Sequence, residues 1–274
     1  MVHIIGAGLS DRAVDLPLST LSVLARADVV LHDALSLPEE EIWRIVPDGC
    51  VVRSVGKRGG IDGSSKQEDI DDMLVRYAVM DDGDNDGALG GGSRTEGARV
   101  VVRLKGGDPF LFGRSRTEID ALREKSVAYR VVPNLSSCVA GPHYGGIPLT
   151  DPSMGAQSFA VFSGTDARGR GRGEDARRDW QELDVDTLIF LMIGRLDKLD
   201  RLCESIGVKG GERWDEQMPC AVVQNAGRAS QRVWRATLGT IFGAIKADLG
   251  ADATTVSPSI FIVGPTASLN LLEQ

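Results

Sequence analysis

Between Arg99 and Arg114 the chain reads RVVVRLKGGDPFLFGR, and no other stretch limits the fold so strongly. Val100, Val101 and Val102 form a short β-branched run, which suits a strand covered on both faces. The run breaks at Gly106-Gly107 and then Asp108-Pro109. These residues let a backbone turn sharply with its amide and carbonyl groups pointing outward. Phe110, Leu111 and Phe112 then cover the turn with apolar surface. Parallel sheets bind small molecules at the carboxyl ends of their strands, so a glycine-rich strand exit under an apolar lid is a ligand site in outline. A tight turn capped by two aromatics accounts for the same letters without any ligand.

The pattern of strand followed by a glycine, aspartate or hydroxyl-bearing exit recurs. Val2 to Ile5 enters Gly6-Ala7-Gly8-Leu9-Ser10-Asp11, where Asp11 stands in place of the third glycine of a dinucleotide fingerprint. Val29 to Leu31 ends in His32-Asp33, Val51 to Val55 runs into Gly56-Lys57-Arg58-Gly59-Gly60, and Tyr129 to Val132 runs into Pro133-Asn134-Leu135-Ser136-Ser137. Apolar spacing predicts helices over Leu18 to Ala27 and Thr117 to Lys125. Further strands are expected at Ser158 to Ser163, Thr187 to Met192, Cys220 to Val223 and Ser259 to Val263. Strands alternating with helices give an α/β class with mainly parallel sheets, in two α/β domains, 1–132 and 133–274. Residues 81–98 are rich in Gly, Asp and Ser and read as a flexible insertion. Their aspartates lack the closing glutamate of an EF-hand loop. The Arg/Gly-rich residues 166–179 read as a mobile surface loop.

The net charge of -8 over 274 residues argues against a dedicated nucleic-acid binder, which is expected to be basic. An acidic protein can still hold an anion through a local cluster, for which Arg103, Lys105, Arg114, Arg116, Lys57 and Arg58 are the candidates. Cys50, Cys138, Cys203 and Cys220 are widely spread without a CxxC pair and read as reduced, mostly buried thiols. His3, His32 and His143 are equally scattered, so no metal is expected. No signal peptide is visible, and no apolar run reaches the roughly 20 residues that span a bilayer. The expectation is a cytoplasmic protein with no membrane partner.

KGGDPFLFGR closely resembles the GGDPF-I-FGR segment of uroporphyrinogen-III C-methyltransferases, a branch of the tetrapyrrole methylase family, which uses S-adenosylmethionine. GAGLSD is similar to that family's VGAGPGD, HDAL to YDRLV, VGKRGG to VGKRAG and GIPLT to AGIPLT; FLMIG, NAGR and SIFIVG are similar to later segments. Leu9 and Ser10 replace a Pro and a Gly, Ala34 replaces an arginine, and Asp151-Pro152 replaces His-Arg. The resemblance implies a two-domain fold with the cofactor in an inter-domain cleft, a homodimer, and methylation of uroporphyrinogen III to precorrin-2, with S-adenosylhomocysteine as product. It makes Asp33 the proton acceptor and Lys57 the donor. It places the cofactor against Leu9, Gly106, Gly107, Asp108, Leu111, Ser136, Ser137, Met192 and Ala226. Arg58 and Arg114 become walls for a poly-carboxylate substrate. Two alternatives stay open, a methylase of a later corrin intermediate and a binding or regulatory protein that keeps the fold. Retention of Asp33 and Lys57 speaks against the second.

Overall fold

The computed structural model describes residues 1–56, 66–79, 99–164, 180–191, 193–207 and 211–272. They fall into two compact units, Met1–Ser136 and Ser137–Gln274.

The first unit is built on strands β1 (Val2–Gly6), β2 (Val29–His32), β3 (Val51–Ser54), β4 (Val101–Lys105) and β5 (Tyr129–Val132). They lie in the order β3-β2-β4-β1-β5, and every pair is parallel. Helices α1 (Leu18–Leu24), α2 (Glu39–Trp43), α3 (Gln67–Val79) and α4 (Ser115–Glu124) complete the unit. Successive strand residues point to opposite faces. Val2, Ile4, Val29, Leu31 and Val101 accordingly pack with Ile70 and Leu74 of α3 and Ile119 and Leu122 of α4. Ile5, Val30, Val102 and Leu104 face the other way, onto Leu24 of α1 and Ile42 of α2. Each such side chain, fully buried, contributes about 1.5–3 kcal/mol. Cover on both faces explains why these strands read as continuous apolar runs rather than alternating ones.

The strand order has a consequence for function. β1 and β4 are adjacent, yet β1 leads on to α1 on one face and β4 to α4 on the other. Chains leaving neighbouring strands toward opposite faces open a crevice at the carboxyl edge, where ligands of open α/β sheets bind.

The second unit contains α5 (Ser137–Tyr144), β6 (Phe159–Ser163), β7 (Thr187–Leu191), α6 (Leu196–Ile206), β8 (Pro219–Gln224), β9 (Arg232–Thr237), α7 (Ile241–Leu249) and β10 (Ser259–Val263). Its sheet runs β6-β7-β10-β8-β9. Here the expectation of mainly parallel pairing needs correction. Only β6 and β7 pair in parallel, and the other three pairs are antiparallel. The connection from β8 to β9 spans only residues 225–231, too short for the crossover that parallel neighbours need. Phe190, Phe261, Leu199, Trp214 and Ile245 anchor its apolar core. No described helix is long and apolar enough to cross a membrane.

Candidate active site

Four strand exits of the first unit meet at one edge of its sheet. Gly8, just past β1, forms an antiparallel bridge with Gly107, just past β4, through Gly107 N–H to Gly8 O at 2.8 Å and Gly8 N–H to Gly107 O at 3.2 Å. Gly107 holds φ of 68°, a region that L side chains adopt at a cost. A Cβ on Gly6 would lie 2.5 Å from Gly107 O, and one on Gly106 would lie 2.9 Å from the Leu35 carbonyl after β2. Glycine is therefore required here by close approach of one backbone to another.

Asp108 ties the exits together. Its Oδ1 accepts from Phe110 N–H at 2.8 Å and Leu111 N–H at 3.2 Å, while Oδ2 accepts from Asn134 N–H beyond β5 at 3.4 Å. Asn134 Nδ2 donates back to Gly6 O at 3.0 Å. Phe110, Leu111 and Phe112 are exposed at this edge, with Phe112 and Arg114 held at positive φ. Ser115 Oγ donates to Pro109 O at 2.6 Å, which ties the turn to the start of α4.

Asp33 follows β2 directly, and its backbone N–H donates to Leu104 O at 3.0 Å. Its Oδ1 accepts from Arg103 Nη2 at 2.5 Å. Arg103 also donates from Nε to Glu118 Oε1 at 2.9 Å, and Lys105 Nζ reaches both oxygens of Glu118 at 2.8 and 2.7 Å. Arg103, Lys105 and Glu118 are buried inside the unit. Burial opposes the Arg103 charge, but Asp33 and Glu118 outweigh it and raise its pKa above the ordinary value. Two members of the expected basic cluster, Arg103 and Lys105, are thus buried against carboxylates of the chain itself. Alternation along β4 turns both inward onto Glu118, and only Arg114 and Arg116 of the described candidates remain exposed. His32, beside Asp33, is buried with Nε2 3.8 Å from Glu39. Burial pushes its pKa down against the opposing pull of the Asp33 carbonyl and Glu39.

The first unit thus brings together Asp33, Gly106, Gly107, Asp108, Leu111, Arg114, half-buried Leu9 and half-buried Ser136 along one edge. Ser137 and Ala226 belong to the second unit, Ser137 opening α5 and Ala226 following β8 in a turn where Asn225 holds φ of 50°. Lys57, Arg58 and Met192 lie outside the described residues, as do 81–98 and 166–179. Asp151 accepts from Ser153 N–H and Oγ and thereby caps a short 3-10 turn over Pro152–Met154. Sequence reasoning missed Arg103 and Glu118 as partners of the site. The visible part of that signal was Arg103 with Lys105, two cations inside an otherwise apolar strand, whereas Glu118 lies on α4. Among the described residues no group of three or more His, Cys, Asp or Glu could hold a metal ion.

Residues 1–241 match the family described as Tetrapyrrole (Corrin/Porphyrin) Methylases. The chain belongs to this family. Among tetrapyrrole methylases it is 32% identical to the uroporphyrinogen-III C-methyltransferase of Synechococcus elongatus, over 98% of this chain and 94% of the relative. It is 31% identical to the enzyme of that name from Methanocaldococcus jannaschii, over 100% of this chain and 98% of the relative. The crystal structure of the Thermus thermophilus uroporphyrin-III C-methyltransferase complexed with S-adenosylhomocysteine superposes with a TM-score of 0.67 at 27% identity, covering 97% of each chain.

Proposed function

We propose that this tetrapyrrole methylase transfers methyl groups from S-adenosylmethionine to pyrrole carbons of uroporphyrinogen III, yielding precorrin-2. One observation carries the reading. A carboxylate, Asp33, stands at the strand exit next to the glycine-walled GGDPF turn, 2.5 Å from a buried guanidinium and still reaching solvent. The bound cofactor supplies an electrophilic methyl on a sulfonium. A porphyrinogen carbon is electron-rich, and its attack breaks the sulfur–methyl bond and leaves positive charge on the ring, discharged by loss of a proton. Asp33 accepts that proton, which is general base work. The turns around Gly106 to Asp108 fix the reacting partners against fixed backbone, where the gain comes from orientation.

Lys57 gives a proton to a ring carbon as the double bonds rearrange, matched by a second proton lost elsewhere on the ring so that each methylation still releases one proton net, and Arg58 and Arg114 hold substrate carboxylates. Leu9, Leu111, Ser136, Ser137, Met192 and Ala226 are the further cofactor residues of this reading, in a protein of two α/β domains, 1–132 and 133–274, that acts as a homodimer of the cytoplasm. The four free, buried cysteines accord with that compartment. Asp151-Pro152 and Ala34 leave two cations fewer than the family pattern, which supports as the second reading a binding or regulatory protein that keeps the fold.

Incubation of uroporphyrinogen III with labelled S-adenosylmethionine, followed by mass, tests this. Two methyl groups are expected with wild type, and a loss of about 10²-fold or more with Asp33→Asn. Cofactor binding without methyl transfer to this substrate transfers the case to later corrinoids.

A further inference from the structure

The pairing of Asp33 with Arg103 extends inward beyond what the proposed reaction requires, and its arrangement is asymmetric. Arg103, Lys105 and Glu118 have side-chain exposures of 0%, 1% and 0%, and Asp33 alone reaches solvent at 13%. The four formal charges cancel. Arg103 places Nη2 on Asp33, Nε on Glu118, and Nη1 on the carbonyls of Leu104 at 3.2 Å and Leu31 at 3.4 Å. All three guanidinium nitrogens are therefore engaged, which fixes the plane of the fork. Glu118 is held from its other side by Lys105. Asp33 Oδ1 is spoken for, and among the described residues Oδ2 accepts no hydrogen bond. Ala34 contributes no side-chain charge of its own next to the carboxylate, so the cation that serves Asp33 comes from the neighbouring strand instead.

Resting on the reading of Asp33 as proton acceptor, we propose that Arg103, braced by Glu118 and Lys105, is a positioning residue that clamps Oδ1 of Asp33 and presents Oδ2 to the substrate. Breaking a buried pair from one side is far costlier than its net worth when intact, because a charge is stranded. A balanced cluster, buried except at Asp33, therefore keeps one carboxylate in one orientation at the crevice. The cluster does not touch the substrate and acts through Asp33 alone. A lysine at 103 keeps the charge but cannot span both carboxylates with a planar fork.

Four proteins decide the matter: wild type, Arg103→Lys, Asp33→Asn and the double variant, each assayed for methyl transfer to uroporphyrinogen III. Arg103→Lys is expected to lower kcat about tenfold, which is about 1.4 kcal/mol, with KM for S-adenosylmethionine unchanged within roughly twofold. In the Asp33→Asn background the same change is expected to lower kcat no further, because the clamp has nothing left to hold. A purely structural role predicts equal losses in both backgrounds and overturns the proposal, as does full kcat in Arg103→Lys. Should Arg103→Lys fail to fold, Glu118→Asp shortens the brace while keeping the charge balance and leaving Asp33 and Arg103 in place. Its kcat should fall in the wild-type background and not in Asp33→Asn, and equal falls in both overturn the proposal. A wild type that binds cofactor without methylating overturns the functional reading and this proposal with it. Active wild type with additive losses overturns this proposal alone.

Discussion

His32 sits one residue before the carboxylate of the site, buried, with its Nδ1 3.4 Å from the Asp33 carbonyl. Burial lowers its pKa, and the partners that favour the charged ring do not restore it. A histidine whose folded pKa lies below its unfolded value, about 6.5, binds more protons when unfolded. Its contribution to stability is therefore complete above that value and is lost as pH falls through the folded one. His3 is lowered by burial as well and adds to the same loss. Urea midpoints at pH about 7.5 and 5.5 should accordingly show wild type losing more stability on acidification than His32→Gln. Equal losses would remove His32 from the account. At this scale the candidate residues visible in sequence were those in loops, where glycine, aspartate and lysine stand out. Arg103, Lys105 and Glu118 were not legible as a unit, because 13 and 15 positions separate the partners and only the contact of β4 with α4 closes the gap.

Among the elements, the strands of the first sheet were legible because burial on both faces leaves unbroken apolar runs. β9 was not, since RVWRAT mixes Arg232 and Arg235 with a buried Trp234, and one covered face gives a weak signal in so short a stretch. The antiparallel pairing of the second sheet was equally hidden, because pairing direction depends on connection length rather than on the strand's own residues. The end of α4 shows local chemistry that sequence underdetermines. Val127 N–H donates to Leu122 O and Ser126 N–H to Arg123 O, both at 2.9 Å, the two bonds of a Schellman ending. The left-handed residue is Ser126, at φ of 55° and exposed, where glycine is the usual choice. Relief of the Cβ strain exceeds the extra chain entropy of glycine, so Ser126→Gly should raise stability by roughly 0.5–1 kcal/mol. Thermal unfolding with methyl transfer measured in parallel checks this. Unchanged activity is expected, and a lowered midpoint would mean that the strain is absent.

At the scale of the whole molecule, a protein of net charge -8 is proposed to take up a poly-carboxylate, and the two fields oppose each other. The summed charge repels the substrate, whereas an exposed guanidinium at the crevice, Arg114 on the left-handed residue before α4, attracts it. Ionic strength separates these effects. With a Debye length of about 8 Å at 0.15 M, salt removes the distant repulsion first and weakens an exposed contact pair as well. If the general field ruled uptake, KM for the porphyrinogen would fall as salt is added. If local pairing rules, KM should rise, by about threefold between roughly 0.05 and 0.3 M. In Arg114→Gln the rise should be largely gone, with KM already higher at low salt and KM for S-adenosylmethionine unmoved. Arg103 and Lys105 cannot replace Arg114 in this role, because Asp33 and Glu118 already neutralise them inside the unit. A wild-type KM that falls with salt would assign substrate capture to groups other than Arg114, and would leave the buried cluster its role at Asp33 alone.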